Sequence, residues 1–103
     1  MTDTATVTDL LAKLISFDTT SRNSNLDLIS WVEEQLIPLG FECRRIENSA
    51  GDKSNLWSRI GPDIPGGLVM SGHSDVVPVD GQPWDTDPFD MTEIDGRLFG
   101  RGT

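Results

Sequence analysis

Apolar residues recur at spacings of three and four through the first forty positions and then give way to short mixed or alternating runs. The chain is therefore predicted to place its helices before its strands. Leu10, Leu11, Leu14, Ile15 and Phe17 make the first such series. Thr6-Val7-Thr8-Asp9 ahead of them has the Ser/Thr-x-x-acid spacing of a helix start, so a helix is expected from about residue 7 to 16. Ser24-Asn25-Leu26-Asp27 repeats that signal. Leu28, Val32, Gln35 or Leu36, and Leu39 then trace one face with Glu33 and Glu34 opposite, predicting a second helix over about 25 to 37. Pro38 disfavours the helical conformation at Ile37, and Gly40 suits the left-handed position that follows a helix end.

Beyond Gly40 the pattern shortens. Phe41 to Glu47 reads as an edge strand followed by the turn-forming run Asn48-Ser49-Ala50-Gly51-Asp52, and Asn55 to Ile60 as a second strand closed by Gly61-Pro62-Asp63. Leu68 to Ser71 is expected to be a third strand and the most buried of the set. Thr92 to Ile94 and Arg97 to Phe99 flank Asp95-Gly96, a dipeptide favoured in two-residue hairpin turns. Two helices followed by several strands fit an α/β layered architecture with mixed strand directions. No repeat, low-complexity tract or linker divides the chain, so residues 1–103 are expected to be one domain or part of one.

Charge narrows the range of partners. Eight Lys and Arg against 17 Asp and Glu give a formal charge of −9, which repels a phosphate backbone, so nucleic acid is not an expected partner. The acidic balance is compatible with a cationic small substrate, although most of these carboxylates read as solvated surface. Cys43 is the sole cysteine, which leaves no internal disulfide, and beside Phe41 it reads as an inert, half-buried thiol. The residues after Met1 lack the basic flank and apolar stretch of a secretory signal, and no run approaches a membrane span. A cytoplasmic location with no membrane partner is the expectation.

The candidate chemistry centres on Gly72-His73-Ser74-Asp75, where the only histidine stands two residues before an aspartate and just after an apolar run. In open α/β sheets ligands bind beyond the carboxyl ends of the strands, and in extended backbone residues 73 and 75 share a side. A neutral imidazole is a good zinc ligand whose other N–H goes to a carboxylate or carbonyl, so His73 would be the ligand and Asp75 its partner. Three residues alone fit a solvated turn histidine better. Asp75 also reads as a loop carboxylate capping nearby N–H groups.

The reading shifts when the stretch is followed onward through Val76-Val77-Pro78-Val79-Asp80-Gly81-Gln82-Pro83-Trp84, Asp87-Pro88-Phe89 and Asp95-Gly96-Arg97-Leu98-Phe99-Gly100-Arg101-Gly102-Thr103. With Phe17-Asp18-Thr19-Thr20-Ser21 and Asn23-Ser24-Asn25 upstream, this order resembles the zinc-dependent aminoacylases and carboxypeptidases of peptidase family M20. The resemblance implies the amino-terminal part of a three-layer α/β/α catalytic domain with a mixed sheet. It implies a metal-dependent amide hydrolase with two divalent ions, zinc or cobalt. His73 would bind one ion, with Asp75 as the catalytic orienting group behind it. N-acetyl-L-ornithine, hydrolysed to ornithine and acetate on the route to arginine, is the substrate expected first, with N-succinyl-diaminopimelate and other acylated amino acids or dipeptides as alternatives. A parent homodimer fits the same resemblance. In the family an aspartate that bridges both ions follows the Gly-Arg-Gly-Thr turn, whereas this sequence ends at Thr103. The general base, the other ligands and the smaller domain lie elsewhere, so the isolated chain is expected to be inactive and marginally stable. From a different class, a non-catalytic assembly module or truncated product is the competing reading.

The remaining motifs read as structural. Asp80, Asp85, Asp87 and Asp90 lack the spacing of a calcium loop, and Trp84 and Phe89 are expected to pin their loop to the core. Gly100-Arg101-Gly102 lacks the spacing of a phosphate loop. Its glycines are expected to let backbone pass close to the metal site, while Arg101 is able to pair with a neighbouring carboxylate and is given no catalytic role.

Overall fold

The computed structural model describes residues 4–103, which fall into two compact units. One comprises the chain through Asn23 together with Asp75–Thr103, and the other is Ser24–Ser74. The architecture is α/β, with two helices and two small antiparallel sheets of two strands each.

In the Ser24–Ser74 unit, helix α2 (Leu26–Leu36) buries Leu28 and Ile29 and passes into a 3₁₀ turn, Ile37–Leu39. Gly40 closes that turn at φ 96°, the left-handed conformation expected of it. Leu39, expected on the buried face, is 67% exposed because the change to 3₁₀ winding after Leu36 takes it off the helix register. Strand β1 (Glu42–Glu47) pairs antiparallel with β2 (Ser54–Arg59), from Glu42 opposite Arg59 to Glu47 opposite Ser54. Arg45 reaches from β1 to α2 with a two-pronged grip on Glu33, at 3.0 and 2.9 Å, and a further donation to Ser30 Oγ at 2.9 Å. That pairing holds the Glu33 carboxyl below its ordinary range.

The expected third strand does not form. Leu68, Val69 and Met70 are 87%, 73% and 88% exposed, and residues 68–71 belong to neither sheet. Strand structure needs a ladder partner for its N–H and C=O groups, and apolar character does not supply one. The expected mixed sheet is likewise replaced by two antiparallel pairs, the parallel pairing being an isolated bridge between Thr20 and Val76.

In the other unit, helix α1 (Thr4–Ile15) begins ahead of Thr6-Val7-Thr8-Asp9 and buries Ile15. Strands β3 (Thr92–Ile94) and β4 (Arg97–Phe99) form the expected hairpin, with Asp95 at φ 51° and Gly96 at φ 76°, both on the positive side that a tight I′ turn requires. Gly100 follows β4 and rests on α1. A Cβ added there would stand 3.0 Å from Ile15 Cγ2, so the close approach its missing side chain permits is to the helix.

Candidate functional site

Asp75 is placed by backbone pairing. The Val76 N–H donates to the Thr19 carbonyl at 3.1 Å, and the Ser21 N–H donates back to the Val76 carbonyl at 3.2 Å. Beside this bridge the Ser21 hydroxyl donates to Asp75 Oδ2 at 2.7 Å, a bond joining residues 54 apart in sequence. The Ser21 end is fixed in turn. Asp18 Oδ1 accepts the Thr20 hydroxyl at 2.6 Å and the Thr20 N–H at 3.1 Å, while Thr19 and Thr20 are buried at 4% and 1% exposure. The Thr20 hydroxyl bond is the main cause that lowers the Asp18 carboxyl below its ordinary value, against a smaller opposing effect of burial. Phe17-Asp18-Thr19-Thr20-Ser21 is thus the seat of Asp75. A link between residues so far apart gives no local signal, and the family pattern that includes Ser21 is its only trace in the sequence.

His73 is solvent-exposed and belongs to the Ser24–Ser74 unit, in the irregular stretch after Gly72. Asn25 organises its neighbourhood. The Asn25 side-chain amide donates to the Ser54 carbonyl and accepts the Ser54 N–H, both at 2.9 Å, and also donates to Ser74 Oγ at 3.2 Å. The Asn25 side chain is therefore committed to Ser54 and Ser74. Asn25 makes no side-chain cap bond to α2, and the Leu26 N–H finds Ser24 Oγ at 3.1 Å instead.

Two aspartates of the acid-rich loop have partners within the protein. Asp80 pairs with Arg22 at 2.9 Å, which lowers its carboxyl, and Asp87 Oδ1 accepts the Phe89 N–H at 3.0 Å. Among the described residues, no three or more His, Cys, Asp or Glu side chains gather as a metal ion would need. Arg101 takes carbonyl and amide oxygens as partners rather than a carboxylate. Its guanidinium donates to Gln82 Oε1 and to the Pro78 carbonyl, and it lies 5.1 Å from the centroid of the Trp84 ring. Trp84 also donates to Gln82 Oε1 at 2.9 Å and lines an open recess of about 300 Å³ with Pro83, Ile94 and Phe99. Sequence reasoning missed Gln82, whose amide joins these two side chains.

Residues 69–103 match the model of peptidase family M20/M25/M40, a segment that holds His73, Asp75 and the glycine turn. That segment resembles the M20 family. It is 42% identical over 82 residues to the acetylornithine deacetylase of Shigella sonnei, covering 78% of this chain and 21% of that enzyme. Against the succinyl-diaminopimelate desuccinylase of Parvibaculum lavamentivorans the identity is 45% over 75 residues, covering 69% and 19%. A desuccinylase of the same name from Bordetella avium is 39% identical over 97 residues, covering 93% and 25%. The chain thus spans about a fifth to a quarter of the length of these M20 relatives, all named as deacylating enzymes. Deacetylases and desuccinylases match it at similar identity. No helix among the described residues is long and apolar enough to cross a membrane.

Proposed function

We propose that this sequence is the amino-terminal part of the three-layer catalytic domain of a metal-dependent amide hydrolase, which removes the acyl group from a small acylated amino acid. His73 is a metal ligand in this reading, and Asp75 orients its imidazole. The observation that carries the proposal is the position of both residues in the M20 segment, with Asp75 held in place by a dedicated hydroxyl donor.

His73 and Asp75 suit the parts of one ligand and its supporting carboxylate. They do not make a complete centre, because the described residues gather no larger donor group. A bound pair of divalent ions, zinc or cobalt, would supply an activated water and a polarised acyl carbonyl. What this chain's own residues contribute is an exposed imidazole and a carboxylate whose position is fixed by residues 18 to 21.

N-acetyl-L-ornithine is the first proposed substrate; a role in arginine synthesis, a cytoplasmic location and a homodimeric parent belong to the same reading. The similarity to desuccinylases, reaching 45% identity, favours N-succinyl-diaminopimelate as the second reading. Two experiments test this. Zinc binding by calorimetry should weaken at least about tenfold in His73→Ala, the loss typical of a disturbed metal shell; binding indifferent to that change would remove His73 as a ligand. The longest natural polypeptide that carries this sequence should cleave one of the two acylated substrates with a clearly higher kcat/KM, and cleavage of neither would defeat the hydrolase assignment.

A further inference from the structure

We propose that Gln82 is a positioning residue, a latch that seats the Gly100-Arg101-Gly102 turn against the segment carrying Asp75. The inference rests on the reading of Asp75 as a site residue, and it adds what holds the backbone packed beside it. All the parts lie in one compact unit. A Cβ added at Gly102 would stand 3.5 Å from Ile15 Cδ1 and 3.7 Å from Val76 Cγ1, so the turn lies against the residue that follows Asp75. The turn has two holds on the loop before it. One is the Arg101 N–H, which donates to the Pro88 carbonyl at 2.7 Å. The other is the Arg101 guanidinium, and there Gln82 is the main partner. The Pro78 carbonyl is 3.4 Å away, long for an N–H···O bond, and Arg101 Nε is buried with no partner among the described residues. No ion pair among those residues includes Arg101.

Gln82 is itself anchored on both sides. Its N–H donates to the Val79 carbonyl at 3.1 Å, and its own carbonyl accepts the Trp84 N–H at 3.0 Å. The side-chain oxygen, with two lone pairs, then takes two donors: the Arg101 guanidinium and the Trp84 indole N–H, the latter at 2.9 Å. Neither of those groups can accept a hydrogen bond, so a shared acceptor is what joins them while the cation sits 5.1 Å from the ring centroid. Through one oxygen, residues 79–84 are tied to the turn.

Hydrogen exchange in the ¹⁵N-labelled chain, with no metal or substrate added, tests the latch. Gln82→Met keeps the side-chain length and removes the strong acceptor. It should speed exchange of the Arg101 amide and of the Trp84 indole N–H by about fivefold, the effect of losing one ordinary hydrogen bond. Gln82→Glu supplies an acceptor of the same reach and should return both to the wild-type rate or slower, since a carboxylate holds a guanidinium more strongly than an amide does. The hairpin amides within residues 92–99 should not change in either variant. The proposal is overturned by an unchanged Arg101 amide in Gln82→Met, or by failure of Gln82→Glu to restore it. Equal acceleration of the hairpin amides also overturns it, because Gln82 would then support the whole unit and not the turn. Zinc binding indifferent to His73→Ala would remove the metal reading alone, since none of these exchange rates depends on a metal.

Discussion

Each compact unit contains a polar clasp that ties a residue near a helix to a segment far along the chain, and the two clasps are built differently. In the Ser24–Ser74 unit, Asn25 grips the backbone of Ser54, which is 3% exposed, so the bonds are partly shielded from water and end on main-chain atoms. In the other unit, Thr19 and Ser21 grip Val76 through main-chain atoms, while the side-chain bond ends on the exposed carboxylate of Asp75. A buried clasp on backbone secures a strand and presents nothing. One whose last atom is a surface carboxylate secures a loop and keeps an acidic group at the surface.

The largest expected effect comes from breaking the buried clasp. Asn25→Ala leaves a donor and an acceptor of Ser54 without partners and should cost about 2 kcal/mol in urea unfolding, the typical penalty for stranding buried polar groups. Thr20→Val comes next and sharpens the comparison, because it removes the support beneath the exposed clasp without changing side-chain size. A loss of about 1 kcal/mol near neutral pH is expected for the Thr20 to Asp18 bond. The Asp18 carboxyl is lowered in the folded state, so its contribution is fully present above the ordinary value of 3.8 and is lost as the pH falls through the depressed folded value. A stability curve measured down through that region should therefore be shallower in Thr20→Val than in the wild type. The smallest effect should come from Arg22→Ala, which removes an ion pair exposed on both sides, and the shift should lie within the error of a thermal melt.

The elements were legible where a short-range rule decides the structure. The helix patterns found α1 and α2 to within one turn, and Asp95-Gly96 announced its hairpin because the turn needs two residues that tolerate positive φ. Leu68–Met70 was misread because a strand depends on a partner elsewhere in the chain. The same reason hid the supports of the site. His73 and Asp75 stood out by residue type and spacing, whereas Ser21 and Asn25 act across 54 and 29 or more positions, and at such distances sequence spacing says nothing about contact. Arg101 finds neutral partners in Gln82 and the face of Trp84, which charge matching along the sequence does not reveal.

The stacking of Arg101 on Trp84 also gives the protein an optical signal of its own. Indole emission responds to a nearby guanidinium, and Arg101 sits between the two glycines of the turn in the M20 segment. Any event that lifts this turn away from its loop also separates the cation from the ring. The seating of the turn can therefore be followed continuously in a fluorimeter, with Trp31→Phe and Trp57→Phe silencing the other two indoles and no dye attached.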